Sequence, residues 1–161
     1  MDIDNIRFDG AAFVVAYKYE LGELYVLVQD SLGTNPRYPD QEVQTKHPGG
    51  KNRDHLEDID LEDTAIREFE EETGLTFERG EGKKIYDVIT GLHRKVAYLV
   101  DGDSLVGKMR TEIMYGKFTT IWAPRWEKAD QFLLRLLYRT HRPIFKAAMN
   151  ELSKKYSGLV V

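Results

Sequence analysis

Apolar and polar positions along the chain alternate between two periods. Ala11–Tyr19 is rich in β-branched and aromatic residues and predicts a strand. Leu21-Gly22-Glu23 predicts a turn, and Leu24–Gln29 the returning strand. Ser31–Lys46 holds Gly33, Pro36 and Pro39 without any period and predicts a long loop, a feature that in compact domains is often functional. From Leu61 the period lengthens. Asp60 predicts a helix N-cap, Leu61–Glu72 the helix and Gly74 its stop. Lys84–Ile89 and Lys95–Val100 predict strands on either side of Thr90–Arg94, Asp101–Gly107 a turn-rich loop, and Phe118–Trp122 a further short strand. Leucines at helical spacing place a helix in Asp130–Arg139, and Pro143 opens another that runs to about Tyr156. Strands mixed with a central and a C-terminal helix predict an α/β sandwich, read as one domain over residues 1–161.

Composition refines this by exclusion. The sequence has no cysteine, so disulfides, thiolate metal sites and cysteine nucleophiles are ruled out. A cysteine-free chain fits a reducing compartment. The acidic start Met1-Asp2-Ile3-Asp4 lacks the apolar core of a secretory signal, and no apolar run reaches the ~18 residues of a membrane span, so a cytoplasmic protein without membrane contact is expected. A net charge of −4 argues against nucleic-acid partners, which need a positive field. It does not argue against a phosphorylated small molecule, because bound metal ions reverse the local field.

The candidate chemistry lies on the first helix. At about 100° per residue, Leu61, Ala65, Ile66 and Phe69 form its apolar face. Glu68, Glu71 and Glu72 stand at i, i+3 and i+4, with Glu72 between Leu61 and Ala65 at the edge of that face. Carboxylates so spaced repel one another, lose hydration at the core edge, and sit toward the helix end where the macrodipole disfavours negative charge. A divalent cation removes all three penalties, and oxygen ligands suit hard ions: magnesium, with manganese as a substitute. A glutamate run alone is more often a solvated helix face, so the order of the surrounding residues carries the weight.

That order, Arg67-Glu68-Phe69-Glu70-Glu71-Glu72-Thr73-Gly74-Leu75, resembles the second half of the Nudix signature, and Pro48-Gly49-Gly50-Lys51 looks like the glycine turn that opens it. One departure is visible. The loop between Gly50 and Arg67 is about three residues longer than the family pattern, and Ile59 stands where the pattern has a glutamate; Glu57 or Asp58 is left to supply that acid.

The resemblance implies a Nudix-type α/β/α sandwich with a mixed central sheet. It implies a magnesium-dependent hydrolase that cleaves the pyrophosphate linkage of a nucleoside diphosphate joined to another group. The metal ligands it implies are Glu68, Glu71, Glu72 and the Gly50 carbonyl, with Arg67 holding a carboxylate. The general base stays open between Glu68 and Glu112, with Glu127 a poorer candidate. Lys51, Arg53 and Arg37 are the expected phosphate contacts, with Arg94 also available. Tyr38, Tyr86, Trp122 and Trp126 could stack a base, although aromatics at such spacing are more often core. The room in Ser31–Lys46 slightly favours a nucleotide sugar. A homodimer is an option, since many relatives are dimeric, but no segment marks an interface. Two other readings stand beside the enzyme: a non-catalytic Nudix-like module that binds a nucleotide or a protein, and an unrelated α/β domain with an acidic helix.

Overall fold

The computed structural model describes residues 9–39, 41–52 and 58–156. Its first two strands, β1 (Asp9–Glu20) and β2 (Glu23–Gly33), form an antiparallel hairpin. Leu21 at φ 51° and Gly22 at φ 78° make the two-residue connection, whose left-handed backbone matches the twist of paired strands. Two three-residue strands follow, β3 (Gln44–Lys46) against β2 and β4 (Gly49–Lys51) against β1. The first helix is α1 (Leu61–Thr73). Beyond it come β5 (Leu75–Thr76), β6 (Lys83–Thr90), β7 (His93–Asp101), β8 (Val106–Gly107), β9 (Met114–Tyr115), β10 (Thr119–Ile121) and β11 (Arg125–Lys128). The chain ends in α2 (Gln131–Leu136) and α3 (Arg142–Lys155).

The main sheet runs β6-β7-β1-β2-β10-β9, with β11 and β3 also on β2 and β4 on β1. Only β1 and β7 pair in parallel among the described strands, so the sheet is mixed. Alternation along β1 splits the core in two. Val15 and Tyr17 face α2 and α3, packing with Leu133, Ile144, Phe145 and Met149. Ala12, Val14 and Ala16 face α1, packing with Ala65 and Phe69. The result is the expected α/β/α sandwich. No described helix is long and apolar enough to cross a membrane.

The first helix matches its prediction closely. Asp60 accepts from the Asp63 N–H at 3.0 Å, and Gly74 closes the helix at φ 79°. A Cβ on Gly74 would also lie 2.3 Å from the Lys108 carbonyl oxygen, so both backbone angle and space demand glycine.

Other expectations need correction. The loop predicted at Ser31–Lys46 is shorter, because β2 continues to Gly33 and β3 begins at Gln44. Tertiary pairing of β2 with both β10 and β3 holds these polar residues extended. The glycine turn at Pro48-Gly49-Gly50-Lys51 contains a strand. The predicted loop Asp101–Gly107 contains a short 3₁₀ turn at Gly102–Ser104 and the strand β8, which pairs with β5.

Candidate functional site

Helix α1 leans on β1 and β4, which sets its charged flank beside the Pro48–Lys51 turn. Arg67 is the centre of this flank. Its guanidinium donates to Asp58 through Nε at 3.1 Å and Nη2 at 2.9 Å, to Glu68 through Nη1 at 3.0 Å, and to Glu71 at 3.3 Å. A further Nη2 contact at 3.3 Å reaches the Lys51 carbonyl and ties the helix to the end of β4. Burial works against the charged guanidinium, but Asp58 and Glu68 outweigh it and its pKa is raised. The fork geometry of arginine serves several carboxylates at once.

Asp58, one of the two options for the displaced upstream acid, meets Arg67. Its carboxylate is nearly buried and holds Arg67, and it also accepts from the Thr64 hydroxyl at 2.9 Å. Glu57 and Arg53 lie outside the described residues.

The three helix glutamates have different surroundings. Glu71 is half exposed. Glu68 is largely buried, and a Cβ on Gly50 would lie 2.6 Å from its carboxyl carbon, so the bare glycine backbone is what admits this side chain. Burial pushes the Glu68 carboxyl above the usual carboxylate range; Glu72 and Glu71 add to the rise, while Arg67 opposes it. Glu72 is buried at 5% exposure and turns inward. Its Oε2 accepts from the Gly49 N–H at 3.0 Å and from Gln29 Nε2, and its Oε1 lies 3.5 Å from Lys46 Nζ. Glu72 thereby holds the turn whose next residue is Gly50.

A family model described as the NUDIX domain matches residues 8–148. The chain belongs to the NUDIX domain family. Solved structures agree in fold. The NUDIX domain of Shewanella oneidensis NrtR, complexed with ADP ribose, superposes with a TM-score of 0.63 at 19% identity, covering 94% of each chain. A C. elegans Ap4A hydrolase in a binary complex gives 0.52 at 16% identity, covering 91% of this chain and 98% of that one. Shewanella oneidensis NrtR complexed with a 27mer DNA gives 0.56 at 18% identity, covering 90% of this chain but 62% of that one. Comparison with the curated proteins gave no match.

The donor chemistry of this NUDIX domain fits a divalent cation. Glu68 and Glu71 offer hard oxygens on one flank, with Glu68 against the Gly50 backbone, and Glu68 is a desolvated carboxylate among like charges. Among the described residues, however, no three carboxylate or imidazole groups already converge as a metal cluster. Arg67 draws Glu68 and Glu71 to itself, while Glu72 faces Gly49 and Gln29.

The remaining expected residues are dispersed. Lys51 is exposed at the end of β4, beside the site. Arg37 is exposed in a turn where its own N–H donates to Asn35 Oδ1 at 3.0 Å. Arg94 is engaged by Asp87, through Nε at 2.9 Å and Nη2 at 2.7 Å. Glu112 is exposed, and its carbonyl accepts from Arg110. Glu127 pairs with Arg125 at 2.7 Å. Of the aromatics, Tyr86 and Trp126 pack against the core clusters, while Tyr38 is exposed.

Three contributors lie outside the motif. Gln29, Lys46 and Arg110 reach α1 from other elements; Arg110 Nε donates to the Glu72 carbonyl at 2.7 Å. One hint was present for Gln29, an amide closing an otherwise apolar strand.

Proposed function

We propose that the chain is a divalent-metal-dependent hydrolase acting on a nucleoside diphosphate joined to another group, with magnesium the working ion and manganese a substitute. The observation that carries this reading is the Glu68 carboxylate. It is pressed against the Gly50 backbone, largely buried, and shares its flank with Glu71. Such a group is stabilised by a cation brought in from solution.

The reaction is an addition of water to one phosphorus. The bond from that phosphorus to the bridging oxygen breaks, the second phosphate departs, and the proton of the attacking water passes to a general base. A bound divalent ion supplies a water of lowered pKa and neutralises phosphate charge. The protein's own part is positioning and electrostatics. Arg67 sets Glu68 and Glu71 on one side of the site. Glu72 holds the Gly49 N–H and so presents Gly50. Glu68 and Glu112 remain the two candidates for the base, and Lys51, Arg37 and Arg53 the candidate phosphate contacts.

The substrate class is suggested by two neighbours, one complexed with ADP ribose and one an Ap4A hydrolase. The preference for a nucleotide sugar loses part of its basis, because the loop behind it is shorter than the sequence implied. A net charge of −4 keeps nucleic acid out of this reading, although one neighbour was solved with DNA. The cysteine-free sequence is compatible with a reducing compartment.

The likeness to NrtR, and the commitment of Arg67 and Lys46 to the carboxylates, favour a second reading: a domain that binds a nucleotide without cleaving it. A panel of nucleotide sugars, ADP-ribose, dinucleoside polyphosphates and nucleoside triphosphates, each with magnesium and with manganese, separates the two. Metal-dependent release of mononucleotide or phosphate supports the hydrolase. Saturable binding without any product, across the whole panel, supports the binding domain.

A further inference from the structure

Lys46 belongs to none of the motifs above, yet it reaches the innermost carboxylate of the site. It lies on β3, directly opposite Gln29 of β2, and both side chains converge on Glu72. Their shares are unequal. Oε2 of Glu72 is satisfied by the Gly49 N–H and by Gln29, whereas among the described residues Oε1 has only the Lys46 ammonium, at 3.5 Å.

The ammonium is itself under-used. It has three N–H donors, and among the described residues Glu72 is its one hydrogen-bond partner. Its side chain is 19% exposed, so most of it is out of water but part still meets solvent. A lysine serving only to neutralise Glu72 would be expected to approach closer than 3.5 Å, since charge-assisted pairs normally do.

We propose that Lys46 is a phosphate-binding residue that serves as counter-ion to Glu72 until a divalent metal and a diphosphate arrive together. This rests on the hydrolase reading of the site. A metal ion on the carboxylate flank and the Lys46 ammonium compete for the same negative charge, so the metal alone binds against repulsion. An incoming diphosphate supplies the missing anion and takes the spare ammonium donors. Metal and diphosphate therefore each raise the affinity for the other, as linkage requires.

The test compares wild type with Lys46→Met and Lys46→Arg, using two probes that need no turnover. The probes are manganese alone, followed by its paramagnetic resonance signal, and methylenediphosphonate, a non-hydrolysable diphosphate, titrated by calorimetry in magnesium. For Lys46→Met, manganese affinity should rise severalfold while methylenediphosphonate affinity falls about tenfold, the scale of one charge-assisted hydrogen bond. Lys46→Arg should keep most of the diphosphate affinity. Circular dichroism and thermal melting establish that each variant is folded; should Lys46→Met not fold, Lys46→Gln carries the same expectation.

Opposite shifts for the two probes support the assignment. Parallel losses, or an unchanged diphosphate affinity, overturn it and leave Lys46 as a structural counter-ion. Wild type that binds neither probe overturns it as well. The hydrolase reading fails separately: wild type that shows the two opposite shifts with its variants but cleaves no nucleotide refutes turnover and leaves the Lys46 assignment standing.

Discussion

The two faces of the sheet are covered in opposite ways. On one side, α3 and its neighbours bury Ile144, Phe145, Ala148, Met149 and Leu152 against Val15 and Val26, with the buried rings of His47 and His141 beside them. On the other side, α1 buries Ala65 and Phe69 but also draws in Glu72, and it sets Arg67 among three carboxylates. One cover is made of apolar packing; the other accepts charge at the core edge. The difference teaches that a shared sheet lets stability and chemistry reside in separate layers, so damage to one layer should spare the function of the other.

The largest expected effect lies in the apolar layer. Phe145 is fully buried, and Phe145→Ala should cost about 4 kcal/mol in denaturant unfolding while leaving the kcat of the folded fraction unchanged. A fall in kcat would show that the layers are coupled. Next is Arg67→Met, which strips Asp58 and Glu68 of their shared cation; a loss of about 3 kcal/mol is expected in the same unfolding measurement. Glu71→Gln should reverse the pattern. Magnesium-dependent hydrolysis falls by about a hundredfold or more, yet stability stays within about 0.5 kcal/mol because the group is half exposed. Normal turnover by this variant would remove α1 from the mechanism.

Acid again separates the layers. Burial lowers the His47 pKa to about 3, and burial, with a contribution from His47, lowers that of His141 to about 2. Both folded values lie below the unfolded value of about 6.5. The unfolded chain therefore takes up protons first, and stability that is complete above about pH 6.5 declines as pH falls toward those folded values. Each histidine contributes a slope of up to about 1.4 kcal/mol per pH unit. Glu68 acts in the opposite sense, since its raised pKa disfavours the charged form in the fold. Unfolding midpoints at pH 5 and pH 7 should show the net acid loss. His47→Leu should reduce it, because neither ring nitrogen of His47 has a hydrogen-bond partner among the described residues.

The legible part of the molecule was whatever local chemistry specifies. Asp60, the apolar period through Phe69 and Gly74 place α1 to within a residue, because cap, periodicity and stop are all encoded within the segment. The β1–β2 hairpin was visible for the same reason. What was hidden depends on partners distant in sequence. Asp30–Gly33 and Gln44–Lys46 have little intrinsic tendency to extend; they do so because each supplies the other's ladder or meets β10. The candidate site divides similarly. The motif pointed to Arg67, Glu68, Glu71 and Glu72, whereas Gln29 and Lys46 are related to Glu72 only through the register of β2 and β3. That Asp58 rather than Ile59 meets Arg67 depends on the route of a loop, which periodicity does not describe.

Arg110 has a consequence for engineering. Its guanidinium meets the carbonyls of Glu72 at 2.7 Å and Trp122 at 3.0 Å, and that of Glu112 as well. One side chain thus pins the end of the carboxylate helix and both ends of the intervening stretch. Because β10 within that stretch pairs with β2, the turn at residues 116–118 between β9 and β10 is where length can be changed with both the pin and the sheet left in place.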